Sequence, residues 1–241
     1  MTDAELPADG IHQPSVLSIA GSDPSGGAGI QADLKTFAAF SVYGTAAITA
    51  VTAQNSRAVA GVLPIDAAFV RLQLQTAFDD AEFDAIKIGM LGNADVAAAV
   101  ADAIASNGNE NIVLDPVLMS TSGRSLLEGD GVDVLRERLF PLALLVTPNA
   151  SEAGVLLDRA APTSIDEMHQ ASHDLLALGS RWVLVKGGHV GDGNLSVDVL
   201  CGRNGETHEL RVPRVVGAGW RGTGCTLSSA IAALVATGHD V

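Results

Sequence analysis

Lysine, cysteine and long apolar runs are scarce in this sequence, and each shortage excludes a class of function. Lysine and arginine together number 14 against 28 aspartates and glutamates, which gives a formal net charge of −14. Nucleic acids and anionic membranes attract proteins through basic surfaces, so this charge argues against both as partners. A small-molecule ligand is the natural expectation, and each of the three lysines, Lys35, Lys87 and Lys186, becomes a residue of interest.

The only cysteines are Cys201 and Cys225, and no CxxC pair occurs. This excludes a zinc knuckle and gives no support to a disulfide framework, so both are predicted to be free thiols. No apolar stretch is long enough to cross a bilayer, and the acidic beginning of the chain lacks the apolar segment of a secretory signal. We therefore predict a cytoplasmic protein without a membrane partner.

Strands alternate with helices along most of the chain. After a loose arm at 1–14, the predicted strands are the apolar runs SVLSIAG, AAITAVTAQ, AIKIGML, NIVLDPV, ALLVTPN and WVLVKGG. Helical spacing predicts helices over 28–40, 66–80, 94–106, 130–139 and 164–178, and a last helix in GCTLSSAIAALVATG. This alternation predicts one α/β domain over 15–241, with a mainly parallel sheet covered by helices on both faces. The Asn204-Gly205 pair predicts an antiparallel hairpin at one edge.

Ligands of such sheets bind beyond the carboxyl ends of the strands, where glycine and polar residues recur here. The first such stretch, GSDPSGGAG, has four glycines before a helix, which lets the backbone approach a ligand closely. It lacks both the G-x-G-x-x-G order of a dinucleotide site and the Lys-Ser/Thr pair of a Walker A loop. A plain turn with Asp23 as a cap is the alternative to a site in which Asp23 holds a substrate hydroxyl.

Two later strand ends offer charged groups. Asn149 and Glu152 have the spacing of a capping box, which needs no ligand, although Glu152 is also suited to order Mg²⁺ through water. Lys186 ends an apolar strand, where it is either solvated or placed to neutralise phosphate. His169 and His173 have metal-ligand spacing on a predicted helix, but their polar surroundings favour a solvated helix face.

The stretch GWRGTGCTLSS places successive unhindered N–H groups at the start of a helix. Gly222, Thr223 and Gly224 therefore predict an anion site of the kind that stabilises a transferring phosphoryl group. Cys225 follows in the first helical turn, where the helix is expected to lower the pKa of a thiol and make it reactive. The alternative is that Cys225 is a small buried apolar residue.

Seven motifs in order resemble the hydroxymethylpyrimidine/phosphomethylpyrimidine kinases of thiamin biosynthesis, in the ribokinase-like superfamily. They are AGSDPSGGAGIQADLKTF, TAVTAQNS, KIGML, VLDPVLMSTSG, TPNASEA, VKGGH and GTGCTLSSA. The resemblance implies a three-layer αβα fold with a mainly parallel sheet. It implies a kinase that uses ATP and Mg²⁺, with a monovalent cation as a further candidate, to phosphorylate 4-amino-5-hydroxymethyl-2-methylpyrimidine and then its monophosphate. Members of the family commonly form dimers, so a homodimer is expected.

The resemblance also implies roles for individual residues. Gln54 would recognise the aminopyrimidine edge, with Gly21, Asp23, Met90 and Val117 lining the same pocket.

On the phosphate side, Asn149 and Thr223 would help to hold ATP. Lys186 would contact phosphate, and Asp115 with Glu152 would hold Mg²⁺ through water. Cys225, beside Gly222 and Gly224, would face the substrate hydroxyl.

The chain departs from the family at two places. Arg221 stands where the family usually has histidine, and the sequence ends at Val241, where the family continues with a further helix whose loss would expose apolar surface. These departures keep a catalytically impaired pyrimidine-binding protein open as an alternative. A pyridoxal or pyridoxine kinase is a second alternative, because the same pocket can take a similar ring.

Overall fold

The computed structural model describes residues 12–55, 57–119, 125–188, 190, 194–215 and 222–241. Its eleven strands are β1 (Ser15–Ser22), β2 (Tyr43–Gln54), β3 (Val59–Pro64), β4 (Ala85–Ile88), β5 (Gly92–Asn93), β6 (Ile112–Leu114), β7 (Leu127–Glu128), β8 (Leu145–Val146), β9 (Trp182–Val185), β10 (Leu195–Gly202) and β11 (Thr207–Pro213). The α-helices are α1 (Gly29–Ala39), α2 (Ala67–Asp80), α3 (Ala94–Asn107), α4 (Gly131–Val134), α5 (Ala150–Leu156), α6 (Ile165–Leu176) and α7 (Thr223–Ala236). Across these residues, none of the helices has the length and apolarity needed to cross a membrane.

Nine strands form one sheet in the order β11-β10-β9-β8-β6-β4-β1-β2-β3. The six strands from β9 to β2 in this order are parallel, whereas β3 pairs antiparallel with β2 and the β10-β11 hairpin continues antiparallel from β9. β5 and β7 form a separate short pair. The predicted mainly parallel sheet and the predicted edge hairpin are both confirmed.

Successive strand residues point to opposite faces of the sheet, and each face has its own apolar layer. On β4, Ile86 and Ile88 pack with α2, α3 and α6, whereas Ala85 packs on the other side with α1 and α7. The β4 residues are all buried, as expected for a parallel strand covered on both faces. The fold therefore has three layers, and Lys87 points to the face covered by α1 and α7.

Several elements differ from the sequence predictions. The helix predicted over 130–139 is only four α-helical residues followed by a π turn at Leu135–Leu139, and a 3₁₀ turn containing Pro141 ends the segment because proline cannot extend a helix. β3 was not predicted; it is a largely exposed edge strand that contains Gly61 and Pro64, residues typical of turns. α5 was predicted only as a cap, because the helix itself is just seven residues long.

The predicted arm at 1–14 lies mostly outside the described residues. Where the description begins, His12 lies 2.8 Å from Asp84, and the Asp84 carboxylate also accepts the backbone N–H of Ser15. Burial works to raise the pKa of Asp84, but these contacts outweigh it and hold the pKa below its usual value.

Candidate active site

The predicted site residues follow the carboxyl ends of five parallel strands. Asp23 follows β1, Met90 follows β4, Asp115 follows β6, Asn149 follows β8 and Lys186 follows β9. Because parallel strands end at the same edge of a sheet, the topology brings these residues to one side of the molecule. The N-terminus of α7 completes this side.

A buried ion pair between Asp115 and Lys186 lies at the centre of the site. Lys186 Nζ is 3.0 Å from Asp115 Oδ1, and the two side chains are 14% and 3% exposed. Thr147 Oγ1 donates to the same oxygen at 3.2 Å, and Ser228 Oγ of α7 lies 3.4 Å from Oδ2. Both carboxylate oxygens of Asp115 thus have polar partners, as a buried carboxylate requires.

Both members of the pair are charged at neutral pH. Burial alone would raise the pKa of Asp115, but the positive charges of Lys186 and Lys87 outweigh it and lower the pKa. Burial alone would lower the pKa of Lys186, but the negative charges of Asp115 and Glu152 raise it. The site therefore keeps the Lys186 ammonium charged and in place next to the start of α7.

α7 begins without any capping side chain. Its N-cap is Gly222, with a left-handed φ of 71° and no side-chain hydrogen bond. A Cβ atom on Gly224 would lie 3.1 Å from Lys186 Nζ, so the ammonium faces the first turn of the helix. An uncapped start at the positive end of a helix, beside a lysine, is an arrangement that favours anions, and the predicted anion site at Gly222, Thr223 and Gly224 stays a prediction.

The glycine-rich turn after β1 packs directly against this helix start. A Cβ atom on Gly222 would lie 1.8 Å from the carbonyl oxygen of Gly27, so glycine is required there for the close approach as well as for the positive φ. α1 also begins without a side-chain cap, and Lys35 donates to the Gly26 carbonyl at 2.8 Å. Two uncapped helix starts therefore meet at the site.

Cys225 does not have the lowered pKa that its helix position predicted. Burial of the thiol is the largest influence and raises its pKa, and the carboxylates of Asp115 and Asp33 raise it further. Lys87 and the N–H of Gly29 act in the opposite direction without reversing the result. The expectation of a low-pKa thiol was wrong, and Cys225 is a protonated thiol at neutral pH.

Asn149 and Glu152 form the predicted capping box. Asn149 Oδ1 accepts the N–H of Glu152 at 2.9 Å, and Glu152 Oε2 accepts the N–H of Asn149 at 2.8 Å. Burial, followed by the negative charge of Asp115, raises the pKa of Glu152 to about 7. Asp115 and Glu152 therefore lie close enough to influence one another's charge.

This pair suits Mg²⁺ better than a metal bound by protein groups alone. Magnesium usually keeps several waters and takes one or two carboxylates together with substrate phosphates. Among the described residues, no group of three or more His, Cys, Asp or Glu side chains could hold a metal ion. Two mutually repelling carboxyl groups beside an anion site fit a hydrated, phosphate-bound cation.

A small apolar cluster lies next to the ion pair. Ala50, Met90 and Leu126 are its buried members, with Val62 and Val117 packed against them. A Cβ atom on Gly21 would lie 3.1 Å from Met90 Sδ, which places Gly21 against the same cluster. The structure thus brings together three of the predicted pocket residues and adds Ala50, Val62 and Leu126, which the sequence analysis missed because they lie outside its motifs or were treated as sheet residues.

Asp23 and Gln54 contact one another after β1 and at the end of β2. The Asp23 carboxylate accepts the N–H groups of Ser25 at 2.8 Å and Ala28 at 2.9 Å. Burial raises the pKa of Asp23, but hydrogen bonds from Ser25 and Gln54 outweigh it and lower the pKa. Asp23 therefore holds the glycine-rich turn together, as the plain-turn alternative predicted, but it does not cap α1, and its hydrogen bond with Gln54 brings two of the predicted site residues together.

Two remaining predictions concern the His169–His173 pair and Arg221. His169 lies 2.9 Å from Glu209 on β11, on the partly exposed face of α6, and His173 is exposed. The solvated-face interpretation of this pair is confirmed for the described residues. Arg221 lies outside the described residues.

Comparison with known proteins decides the family. The sequence matches the family model for phosphomethylpyrimidine kinase over residues 23–241. The chain belongs to the phosphomethylpyrimidine kinase family.

Relatives of this kinase family match over nearly the whole chain. The hydroxymethylpyrimidine/phosphomethylpyrimidine kinase of Escherichia coli is 47% identical over 220 residues, covering 91% of this chain and 82% of the relative. A crystal structure of a phosphomethylpyrimidine kinase from Clostridium difficile matches with a TM-score of 0.83 at 37% identity, covering 95% of this chain and 93% of that one. An ADP complex of Bacillus subtilis pyridoxal kinase matches with a TM-score of 0.86 at 37% identity, covering 95% of this chain and 86% of that one. The kinase has the ribokinase-like fold that the motifs implied.

Proposed function

We propose that the chain transfers the γ-phosphoryl group of ATP to the hydroxymethyl oxygen of 4-amino-5-hydroxymethyl-2-methylpyrimidine. It then transfers the γ-phosphoryl group of a second ATP to the resulting monophosphate, which gives the diphosphate. The observation that carries this proposal is the uncapped start of α7 beside the buried Asp115–Lys186 pair. Phosphoryl transfer needs positioning and charge stabilisation more than covalent chemistry from the protein. A fixed cation and free N–H groups supply that stabilisation.

Each group at the start of α7 has its own part in the transfer. The N–H groups of Gly222, Thr223 and Gly224 would bind the phosphoryl oxygens, and Lys186 would offset the charge that develops on them. Cys225 would contact the substrate hydroxyl as a neutral thiol. Because the transition state is loose, the hydroxyl proton leaves late and a strong base is not needed.

Asp115, Glu152 and Asn149 would serve the nucleotide. The two carboxyl groups would hold Mg²⁺ through its water shell, and Mg²⁺ when bound would neutralise the phosphate oxygens of ATP. Asn149 fixes Glu152 through the capping box, so the carboxyl group keeps one orientation. A protonated Glu152 binds a cation poorly. Mg²⁺ binding should therefore weaken as the pH falls below the pKa of Glu152.

The apolar cluster would hold the pyrimidine ring. Gly21 gives the ring room next to Met90, while Val117 closes one side. Gln54 would match the donor and acceptor of the aminopyrimidine edge, and Asp23 lies beside it. A ring without a donor or without an acceptor would leave part of the Gln54 amide without a hydrogen-bond partner. The amide therefore favours a ring that offers both a donor and an acceptor.

Pyridoxal is the second candidate substrate. The likeness to the Bacillus subtilis pyridoxal kinase in its ADP complex favours it, because that protein shares the fold and 37% of the aligned residues. The third alternative, a binding protein that transfers no phosphate, is disfavoured because the uncapped start of α7 and the adjacent Lys186 are both in place.

We further propose a cytoplasmic homodimer. Large apolar side chains are exposed along β2, β3 and α2, including Val51, Leu63, Phe69 and Leu72. Exposed patches of this kind often mark contacts between subunits. Light scattering after size-exclusion chromatography would give twice the 24.6 kDa chain mass for a dimer and the single mass for a monomer.

Release of ADP from ATP tests the proposed function. The purified chain is given Mg²⁺ and ATP with the hydroxymethylpyrimidine, its monophosphate or pyridoxal in separate reactions, each with and without K⁺. Turnover with both pyrimidines supports the two-step kinase, and turnover with pyridoxal alone supports the second candidate. No turnover with any of them, while calorimetry still reports pyrimidine binding, contradicts the enzyme proposal.

A further inference from the structure

A second buried ion pair lies beneath the start of α7. Lys87 Nζ of β4 is 3.0 Å from both carboxylate oxygens of Asp33 on α1, and neither side chain is exposed at all. A Cβ atom on Gly89 would lie 2.8 Å from Lys87 Nζ, so a glycine after β4 leaves room for the ammonium. None of the roles proposed above uses this pair.

Two serines complete the hydrogen bonding of Asp33. Ser18 of β1 donates to Oδ2 at 2.7 Å, and Ser229 of α7 donates to Oδ1 at 2.7 Å. Each carboxylate oxygen thus receives two hydrogen bonds, one from Lys87 and one from a serine. The four side chains join β1, α1, β4 and α7 at a single point.

Adjacent serines connect α7 to both buried ion pairs. Ser228 lies 3.4 Å from Asp115 of the first pair, and Ser229 donates to Asp33 of the second. Ser229 also lies one helical turn after Cys225 and therefore on the same face of α7. The positive charge of Lys87 acts on both Cys225 and Asp115.

Stability gives a poor explanation for this second pair. Replacing a buried ion pair with apolar side chains of similar volume is often neutral or stabilising, because removing two charges from water is costly. The fully buried apolar residues of α7 on this face are the small Ala232 and Ala233, whereas Val235, Leu227 and Ile231 are less buried, so apolar contacts alone leave some freedom in the rotation of the helix. Directional hydrogen bonds define that rotation much better.

We propose that Lys87, Asp33 and Ser229 are positioning residues that hold α7 at the rotation and depth required for phosphoryl transfer. They touch neither substrate, and they act by placing the N–H groups at the start of α7 and the Cys225 thiol relative to Lys186. This inference rests on the proposed kinase function. Misplacement of catalytic groups by about 1 Å can cost up to roughly a hundredfold in rate.

The test is Ser229→Ala, with Ser172→Ala as its matched control. Ser172 is also a fully buried helical serine, but it bonds only to the Met168 carbonyl on α6, away from the site. For Ser229→Ala we expect kcat to fall about tenfold while the KM for the pyrimidine changes less than twofold, because none of the proposed pocket residues lies on α7. A kcat within twofold of the Ser172→Ala value, or a rise in KM alone, overturns the inference.

A double variant tests the ion pair itself. Lys87→Met with Asp33→Leu removes both charges together, so it leaves no unpaired buried charge. The melting temperature is expected to fall only modestly, because the buried hydroxyls of Ser18 and Ser229 lose their acceptor. We expect kcat to fall at least as far as in Ser229→Ala. Parental kcat in a folded double variant overturns the role of the pair, and if the double variant does not fold, Ser229→Ala decides.

Hydrogen exchange separates this inference from the proposed function. If the parent chain phosphorylates none of the three substrates, the proposed function fails, and amide exchange at the start of α7 is measured instead. Ser229→Ala should then speed exchange in the first turns of α7 at least fivefold, whereas Ser172→Ala should leave it unchanged. Equal exchange in the two variants overturns the positioning role.

Discussion

At the scale of single residues, Lys186 differs from most lysines because it is paired and nearly buried. Its partner Asp115 has no other cation in hydrogen-bond contact among the described residues. Removing Lys186 therefore takes away the cation proposed to contact phosphate. It also leaves the buried charge of Asp115 unpaired, which typically costs about 3–5 kcal/mol of stability.

The substitution Lys186→Met should lower kcat by about a hundredfold or more and lower the melting temperature. Arg181→Met is the matched control, because Arg181 precedes β9 at the opposite edge of the sheet and forms only an exposed pair with Glu110. An ADP-release assay and a thermal melt on both variants check this. Equal kcat values for the two variants would refute a role for Lys186 in transfer.

Cys225 is expected to be a slow nucleophile. Since the pKa of its thiol is raised above the ordinary 9.0, little thiolate exists at pH 7.5. In a Cys201→Ala background, iodoacetamide should modify Cys225 at least tenfold more slowly than it modifies free glutathione. Mass spectrometry gives both rates, and modification as fast as that of glutathione would show that the thiol is activated after all.

Glu152 should make stability fall as pH rises, the reverse of the usual carboxylate behaviour. Its folded pKa of about 7 exceeds the ordinary 4.5, so the folded state binds more protons between these values. Without Mg²⁺, stability should therefore decline by up to about 3 kcal/mol between pH 4.5 and pH 7.

The substitution Glu152→Gln should remove this decline and keep the capping box, because glutamine also serves at that position. Urea unfolding of both proteins in EDTA at pH 5, 6 and 7 measures the effect. The same slope in both proteins would mean that another group titrates there.

At the scale of elements, the start of α7 depends on Gly222. Alanine at this position meets two penalties, a left-handed φ of 71° and a Cβ atom 1.8 Å from the Gly27 carbonyl oxygen. The second penalty forces the glycine-rich turn and α7 apart, which disrupts the anion site.

The substitution Gly222→Ala should therefore abolish most activity, with kcat reduced about a hundredfold or more. Gly238→Ala is the control, because Gly238 has a similar φ of 85° at the other end of α7 but no atom within 4 Å of a new Cβ. That variant should lose only about 1–2 kcal/mol of stability and keep its activity. If both variants retained parental kcat, the contact between the two loops would have no part in catalysis.

Elements with strong periodicity were predictable, and those determined by tertiary contacts were not. The helices at Ala67–Asp80 and Ala94–Asn107 begin and end within a residue or two of their predicted bounds, since apolar spacing and an Asp66 or Asn93 cap define them. β3 is held by pairing with β2 rather than by its own apolar pattern, so its sequence resembles a turn. Four core strands, β4, β6, β8 and β9, are shorter than predicted because the last residues of each predicted run leave the sheet.

The contacts of the site divide in the same way, into those that are local in sequence and those that depend on the tertiary fold. Asn149 and Glu152 were predictable as a capping box because the contact is local in sequence. The Lys186–Asp115 contact joins residues 71 positions apart, and Lys87–Asp33 joins residues 54 apart. Only the topology brings such pairs together, although an unusual shortage of lysine already marked both cations for attention.

At the scale of the whole molecule, the order of strands explains why one edge carries the chemistry. Six parallel strands end at this edge, and the chain returns there last through α7, which packs against α1, β4 and β6. Residues from the first quarter of the chain, such as Gly27 and Asp33, thereby meet residues from its end. The family match over residues 23–241 spans all of these elements except β1.

The most direct test follows the products by ³¹P NMR in a reaction of the chain with ATP, Mg²⁺ and the hydroxymethylpyrimidine. We predict that a pyrimidine monophosphate signal appears first and a diphosphate signal follows, and that Lys186→Met suppresses both. Absence of any phosphorylated pyrimidine from the parent chain, or equal product formation by the folded Lys186→Met variant, would contradict phosphoryl transfer at this site.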